Sequence, residues 1–502
     1  MRHHLFMSGT RIGGGTRGAV LVAFCVVGLL LILSGRYGYH RDELYFIEAG
    51  DRLAWGYVDQ PPLTPFIARL AGLFDHSFLA LRLLPALTIG GLIMLSAAFA
   101  RRFGGGAFAQ TFAALAVGTG GIFLALGHLL STATFDVLVW ALLIYLVIRV
   151  IQTGETRLWL PVGALAGIGL LNKWTVLFIV MGLLAGLLLT PERRLLRTPY
   201  LWAGLAIALV IWSPNIVWQS QNGWPFFDMA ESLRAEGVED ANSFLFAPLQ
   251  ILLIGPLTSP IWIAGLASLF RDDRLRPYRF IGWAFVVLLV TFVALASKPY
   301  FLAPVYVPLL AAGSVVTERF LGRPRRWLTP TSVAGAVLVG GLVGLPISLP
   351  VLSPDALAET PINEINQELG ETYGWKPLVR QVAAVYAEMA PVGRSHSTVF
   401  TASYGEAGAV DLYGPDLGLP NASSGHNNYW LWGPPDDAVE TVIIVGYFPP
   451  GFVDTFFVGA EMVGTISNPA ALENEEYGAS IWIADGPRGS WSEVWPQLRH
   501  YN

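Results

Sequence analysis

The stretch 37–63 holds the side chains best suited to chemistry. It reads Tyr37-Gly38-Tyr39-His40-Arg41-Asp42-Glu43-Leu44-Tyr45 and continues through Trp55, Tyr57, Asp59 and Gln60 to Pro61, Pro62 and Leu63. Asp42, Glu43, Glu48, Asp51 and Asp59 therefore lie among many aromatics. Aromatic faces beside hydrogen-bonding carboxylates suit a sugar, which offers C–H faces and a rim of hydroxyls. A carboxylate next to an acceptor hydroxyl can also act as a general base. The competing reading is a loop at a membrane interface, with its aromatics at headgroup level and its acids solvated.

The lysines are a second clue. There are three, Lys173, Lys298 and Lys376, and arginine fills the other cationic positions. Lys173 and Lys298 both fall at ends of apolar runs, and Tyr300 lies two residues beyond the second. A compact ammonium binds phosphate as a point charge. Two of them on one face suggest a phosphorylated lipid headgroup; snorkelling of a long side chain is the alternative. Asp136 opens the fourth apolar run, where it is either a site acid or a favourable charge at a helix N-terminus. The segment from Trp218 and Gln219 to Trp224 and Pro225 suits a sugar or an ordinary interfacial turn equally well. His128 stands alone, and no cluster has metal-ligand spacing. No metal ligand is assigned, and a divalent cation would need acids gathered by the fold. The absence of a Walker motif or a G-x-G-x-x-G beside a strand argues against a nucleotide site. A net charge of only −5 gives no nucleic-acid footprint.

These residues need elements to hold them, and the composition names the kind. Of 502 residues, 54% are hydrophobic and 13% charged, about half the charge of a typical soluble domain. The apolar residues gather in runs that stop at arginines, as membrane spans of about 20 residues do. We count eleven spans, beginning near Ala19, Phe78, Ala107, Phe135, Leu158, Trp174, Leu201, Pro248, Phe280, Phe301 and Leu328. The first, preceded by Arg2, Arg11 and Arg17 and lacking a small-x-small cleavage site, reads as an uncleaved helix. With the N-terminus cytoplasmic, the inner segments hold 18 of the 28 arginines, the bias expected of cytoplasmic loops. Three longer segments then face outward: 35–77, roughly 214–247, and the part beyond about 350. In the last, 376–390 reads as an amphipathic helix and 397–402, 441–446 and 480–484 as short strands. The expected architecture is a mainly α polytopic membrane protein, 1–349, with a small extracytoplasmic α/β domain, 350–502. Cys25 is the single cysteine, so no disulfide supports that domain.

The order of these motifs resembles family 39 glycosyltransferases of the GT-C membrane class, relatives of protein O-mannosyltransferases and lipid A aminoarabinose transferases. The resemblance rests on Asp42-Glu43 just after the first span, then Gly56-Tyr57-Val58-Asp59-Gln60-Pro61-Pro62-Leu63. Asp136, Leu171-Asn172-Lys173, Gln221-Asn222-Gly223-Trp224-Pro225 and Ser297-Lys298-Pro299-Tyr300 continue it. Tyr404-Gly405-Glu406-Ala407-Gly408, Tyr413-Gly414-Pro415, Gly425-His426-Asn427 and Tyr429-Trp430 carry it into the tail. One departure is Trp174, where the family often has glycine after the lysine.

The resemblance implies transfer of a sugar from a polyprenyl-phosphate carrier to a hydroxyl of an envelope glycan, lipid or protein on the outer face of the plasma membrane. Asp42 would be the catalytic base, and Glu43 would support it or bind acceptor. Asp59, Asp136 and Tyr45 would serve substrate binding. Lys173 and Lys298, with Tyr300, would meet the carrier phosphate. Two rivals remain. A lipid-linked sugar flippase or transporter would place ionisable groups at mid-membrane depth and often shows inverted repeats; the spans are nearly free of acids and lysines, and no repeat is visible. A non-catalytic envelope scaffold would not need the paired acids of the first loop.

Overall fold

The computed structural model describes residues 13–235, 243–323 and 328–501. Arg2, Arg11, Arg325 and Arg326, and positions 236–242 of the second long loop, lie outside the described residues. The helical part runs α1 (Gly14–Leu33), α2 (Arg41–Asp51), α3 (Leu63–Ala71), α4 (Phe78–Arg102), α5 (Ala107–Gly118), α6 (Gly121–His128), α7 (Thr132–Thr153), α8 (Trp159–Leu170), α9 (Val176–Leu188), α10 (Pro199–Gln221), α11 (Pro225–Ala235), α12 (Ser243–Ile254), α13 (Ser259–Arg271), α14 (Arg279–Ala294), α15 (Ala303–Leu321) and α16 (Pro330–Ser348).

Among the described residues, seven helices are long and apolar enough to cross a membrane, or nine if each of two bent pairs counts as one span. α5 and α6 meet at 60° and the α12–α13 pair bends by 113°. The fifth and sixth expected spans are the shorter α8 and α9. The chain is a multi-pass membrane protein. Phe24 and Ile32 on α1, Val210 on α10 and Val343 on α16 are exposed, as apolar side chains on lipid-facing helices are. The second long loop begins later than position 214. Pro214 lies inside α10, which runs on to Gln221. Its polar face explains the extension: Asn215 donates to the Trp55 carbonyl at 2.9 Å and Gln219 to the Tyr57 carbonyl at 2.9 Å. Gln219 is thus committed to backbone, not to a sugar.

After α16 the chain builds a five-stranded sheet from β1 (Ser397–Thr401), β2 (Ala422–Ser424), β3 (Thr441–Gly446), β4 (Glu461–Thr465) and β5 (Ser480–Ala484), in the order β2-β1-β3-β5-β4. β2, β1 and β3 are parallel; β5 pairs antiparallel with both β3 and β4. Alternation along the strands feeds two cores. Phe400, Val442 and Ile444 pack with Phe457, Trp491 and Trp495. Val399, Ile443, Val445 and Ile481 pack with the helices Trp375–Glu388 and Tyr404–Tyr413, and that core also takes in Leu44, Tyr45, Phe46 and Ile47 of α2. The first long loop and the C-terminal sheet therefore share one hydrophobic core.

Candidate active site

The first turn of α2 is set by a capping box. His40 accepts the Asp42 N–H on Nδ1 at 3.1 Å, and the Glu43 carboxylate reaches back to the His40 N–H at 2.9 Å. The ring's Nε2 faces Glu368 Oε2 at 2.9 Å. Successive helix residues point about 100° apart, so Asp42 and Glu43 face different surroundings. Glu43 is fully buried. It takes two hydrogen bonds from Arg82, Nε to Oε1 at 3.0 Å and Nη2 to Oε2 at 2.6 Å, and a third from the Leu130 N–H at 2.9 Å. Arg82 spends its remaining donors on the Ser34 and Gly38 carbonyls and on His128 Nε2.

Asp42 instead lines a cavity of about 1100 Å³. Its Oδ1 accepts the Tyr404 hydroxyl at 2.8 Å. Asp59 also lines the cavity and accepts the Tyr45 hydroxyl at 2.9 Å. The two tyrosine rings lie 4.7 Å apart, so the two acids are held by one aromatic pair. Burial pushes Asp59 up to about 7 against the pull of the Tyr45 hydrogen bond, and the Asp42 charge adds to the rise. Burial keeps both tyrosines well above their ordinary range, so each retains its proton and donates.

Tyr404 arrives from far along the chain because its helix seats closely on α2. A Cβ on Gly405 would come within 2.9 Å of the Arg41 Cβ, and one on Gly408 within 3.0 Å of Leu44. Ser403 and Glu406 cap this helix reciprocally, which fixes where Tyr404 stands.

The same cavity carries Lys173, Lys298 and Tyr300. Lys173 Nζ lies 5.5 Å from the Tyr300 ring centroid and 5.2 Å from that of Phe301, a cation–π arrangement. The charges of Asp136 and Asp42 both act on it. Its turn is anchored by Asn172, which accepts from Thr64 at 3.0 Å and donates to the Thr132 carbonyl at 2.7 Å. Trp174 packs on Phe226 and donates to Asn215 at 2.9 Å. Ile122 and Leu126 of α6 and Leu249 and Leu253 of α12 give the cavity an apolar stretch.

The chain is similar to several known proteins. The family model described as dolichyl-phosphate-mannose-protein mannosyltransferase matches residues 59–218. The lipid A galacturonosyltransferase RgtD of Rhizobium johnstonii is 25% identical over 363 residues, covering 67% of this chain and 71% of that protein. The crystal structure of ArnT from Cupriavidus metallidurans bound to undecaprenyl phosphate superposes with a TM-score of 0.59 at 14% identity, covering 93% of this chain and 97% of that one. Its apo form gives 0.60 at 15% identity, covering 93% and 98%. The chain has the fold of the ArnT structures, and its sequence is similar to membrane glycosyltransferases of the GT-C class.

The structure groups some of the expected residues and separates others. Asp42, Asp59, Lys173, Lys298 and Tyr300 share the cavity. Glu43 does not line it: its oxygens are taken by Arg82 and two backbone N–H groups. Tyr45 is buried and touches Asp59 rather than the cavity. Asp136 is buried too and accepts from Thr175 at 2.7 Å. Both meet lining residues, Tyr45 through its hydrogen bond to Asp59 and Asp136 through the charge of Lys173. Tyr404 and Glu368 line the cavity and had no assigned role. The Ser403-x-x-Glu406 capping signature was the one local sign that a helix starting at Tyr404 had a fixed position.

Proposed function

We propose that this glycosyltransferase moves a sugar from a polyprenyl-phosphate carrier to an acceptor hydroxyl on the extracytoplasmic face, by inverting single displacement. The observation that supports it is the shared cavity. Tyrosine-held carboxylates and lysines face one space that also has an apolar stretch between α6 and α12. Asp42 takes the proton of the acceptor hydroxyl as that oxygen bonds to the anomeric carbon. The bond from the anomeric carbon to phosphate oxygen breaks, and the polyprenyl phosphate leaves with its electron pair. Lys173 and Lys298 offset the charge that gathers on it. Asp59 accepts hydrogen bonds from sugar hydroxyls, and the prenyl chain lies along the apolar stretch. The membrane part, 1–349, supplies the carrier side, and the part beyond 350 supplies Tyr404. With the N-terminus cytoplasmic, the cavity opens on the outer face. Envelope glycans, lipids and proteins all carry hydroxyls that meet this requirement.

Purified protein in detergent, offered a panel of polyprenyl-phosphate hexoses and pentoses, should consume one of them, and Asp42→Asn should not. Equal turnover by the variant would overturn Asp42 as the base. Movement of an intact lipid-linked sugar across liposome membranes, without consumption, would replace the reading with transport.

A further inference from the structure

We propose that Glu371, Glu475 and Glu476 form a site for one hard divalent cation beside the first turn of α2. One oxygen from each carboxylate lies within 4.8 Å of the others. Oxygens that each stand 2.3–2.6 Å from a calcium ion are at most about 5 Å apart, so the three can share one ion. Glu371 precedes the helix Trp375–Glu388, while Glu475 and Glu476 precede β5.

The glutamates alone would be only an acidic cluster. Glu476 adds the observation that points to a ligand. It is 5% exposed, and its buried Oε2 has no hydrogen-bond partner among the described residues. Glu371 is 6% exposed; its Oε1 accepts the Glu475 N–H at 3.2 Å, and its Oε2 has no partner among the described residues. Unpaired buried carboxylates are costly. Arg41 pairs with Glu475. With all three carboxylates ionised, one guanidinium leaves a local charge of −2, which a divalent ion would match. The donor set is all oxygen, with no cysteine or histidine, and so favours Ca²⁺, Mg²⁺ or Mn²⁺ over Zn²⁺. Glu475 and Glu476 also line the cavity of about 1100 Å³, from which water could complete the coordination. Such an ion would tie two segments of the C-terminal part together next to Arg41, the residue before Asp42. It would then steady the start of α2.

The test is direct binding to the full chain in detergent after treatment with a chelator. Titration with Ca²⁺, Mg²⁺ or Mn²⁺ alone, read by calorimetry and by elemental analysis, should show one ion per chain and a rise in Tm. Glu476→Gln should weaken binding by about tenfold or more and remove the Tm rise, whereas Glu368→Gln, outside the cluster, should keep both. If Glu476→Gln does not fold, Glu475→Gln at the exposed position should show the weaker binding. No ion bound at millimolar concentration overturns the site. Binding unchanged in both Glu476→Gln and Glu475→Gln does the same. So does a Glu476→Gln protein that is more stable than the parent in chelator while the parent shows no response to ions; the buried carboxylates would then simply be protonated. None of these readouts uses sugar transfer, so they stand apart from the fate of the proposed reaction.

Discussion

On the bundle side of α2, Glu43 gives both oxygens to Arg82 and to the His40 and Leu130 N–H groups, in a fully buried setting. On the cavity side, one residue earlier, Asp42 accepts one hydrogen bond from Tyr404, and its Oδ2 accepts none among the described residues. The two acids are alike in type and adjacent in sequence, yet one is saturated and the other keeps free acceptor capacity. A carboxylate whose lone pairs are all used holds structure in place. One with capacity left, facing a space large enough for a substrate, can take a proton.

The contrast breaks most sharply by exchanging the two losses. Glu43→Gln leaves Arg82 buried without its counter-charge, and breaking such a pair costs about 3–5 kcal/mol. The expected outcome is a large fall in Tm and in yield of folded protein. Asp42→Asn should leave Tm within error while lowering sugar transfer by about 10²–10⁴-fold, the usual contribution of a positioned base. Thermal unfolding and turnover measured on both variants decide it. An Asp42→Asn protein that melts early, or a Glu43→Gln protein that is stable but inactive, would reverse the assignment of roles.

The lysine side of the cavity gives the next largest effect. Lys173 stands over two rings and feels Asp136 and Asp42, whereas Lys298 is exposed. A fixed charge stabilises a transition state better than a mobile one, because it needs no reorganisation when charge develops. Lys173→Gln should therefore lower kcat by about 10²-fold, and Lys298→Gln should mainly raise KM. Equal effects of the two on kcat would show that the anchoring of Lys173 has no catalytic weight.

The tyrosines sharpen the comparison further. Removing the Tyr404 hydroxyl deletes a hydrogen bond to a carboxylate, worth about 1.5–3 kcal/mol to a charged group. Tyr404→Phe should slow transfer by about tenfold or more with little change in Tm, since the ring contacts to Tyr45 and His426 remain. A full wild-type rate would mean that Asp42 is oriented by the α2 capping box alone.

The helices and the local acid pattern were legible in the sequence because both depend on short-range rules. Apolar runs marked α1, α4, α7 and α15, and strands 397–402, 441–446 and 480–484 correspond to β1, β3 and β5. β2 escaped because it is three residues long, and β4 because it is an edge strand of mostly exposed residues with a bulge at Met462–Gly464. Pro214 hid the length of α10, whose last turns are fixed by Asn215 and Gln219 reaching the first loop. Partner choice was the part sequence could not show. Tyr404 meets Asp42 across 362 positions, and Glu371 meets Glu475 across 104. Nothing in the type or spacing of Asp42 and Glu43 says which one Arg82 will claim.

Asp59 offers the mildest and most selective test, because its burial acts on activity and stability with opposite sign. With its carboxyl near 7, the folded protein takes up a proton there as pH falls, whereas the unfolded chain does so near 3.8. Between those values the folded state holds more protons, so this group's contribution to stability grows as pH drops from 7 toward 3.8. The hydrogen bond proposed between it and a sugar hydroxyl should weaken over the same range, since the carboxylate is the better acceptor. Turnover should fall along a one-proton limb with a midpoint near 7 while Tm, corrected with Asp59→Asn as the reference, rises. In Asp59→Asn both dependences should flatten, leaving a lower rate independent of pH in that window. An acid limb that survives the substitution would belong to another group on the cavity wall, with Glu406, held at about 8 by burial, the first to substitute next.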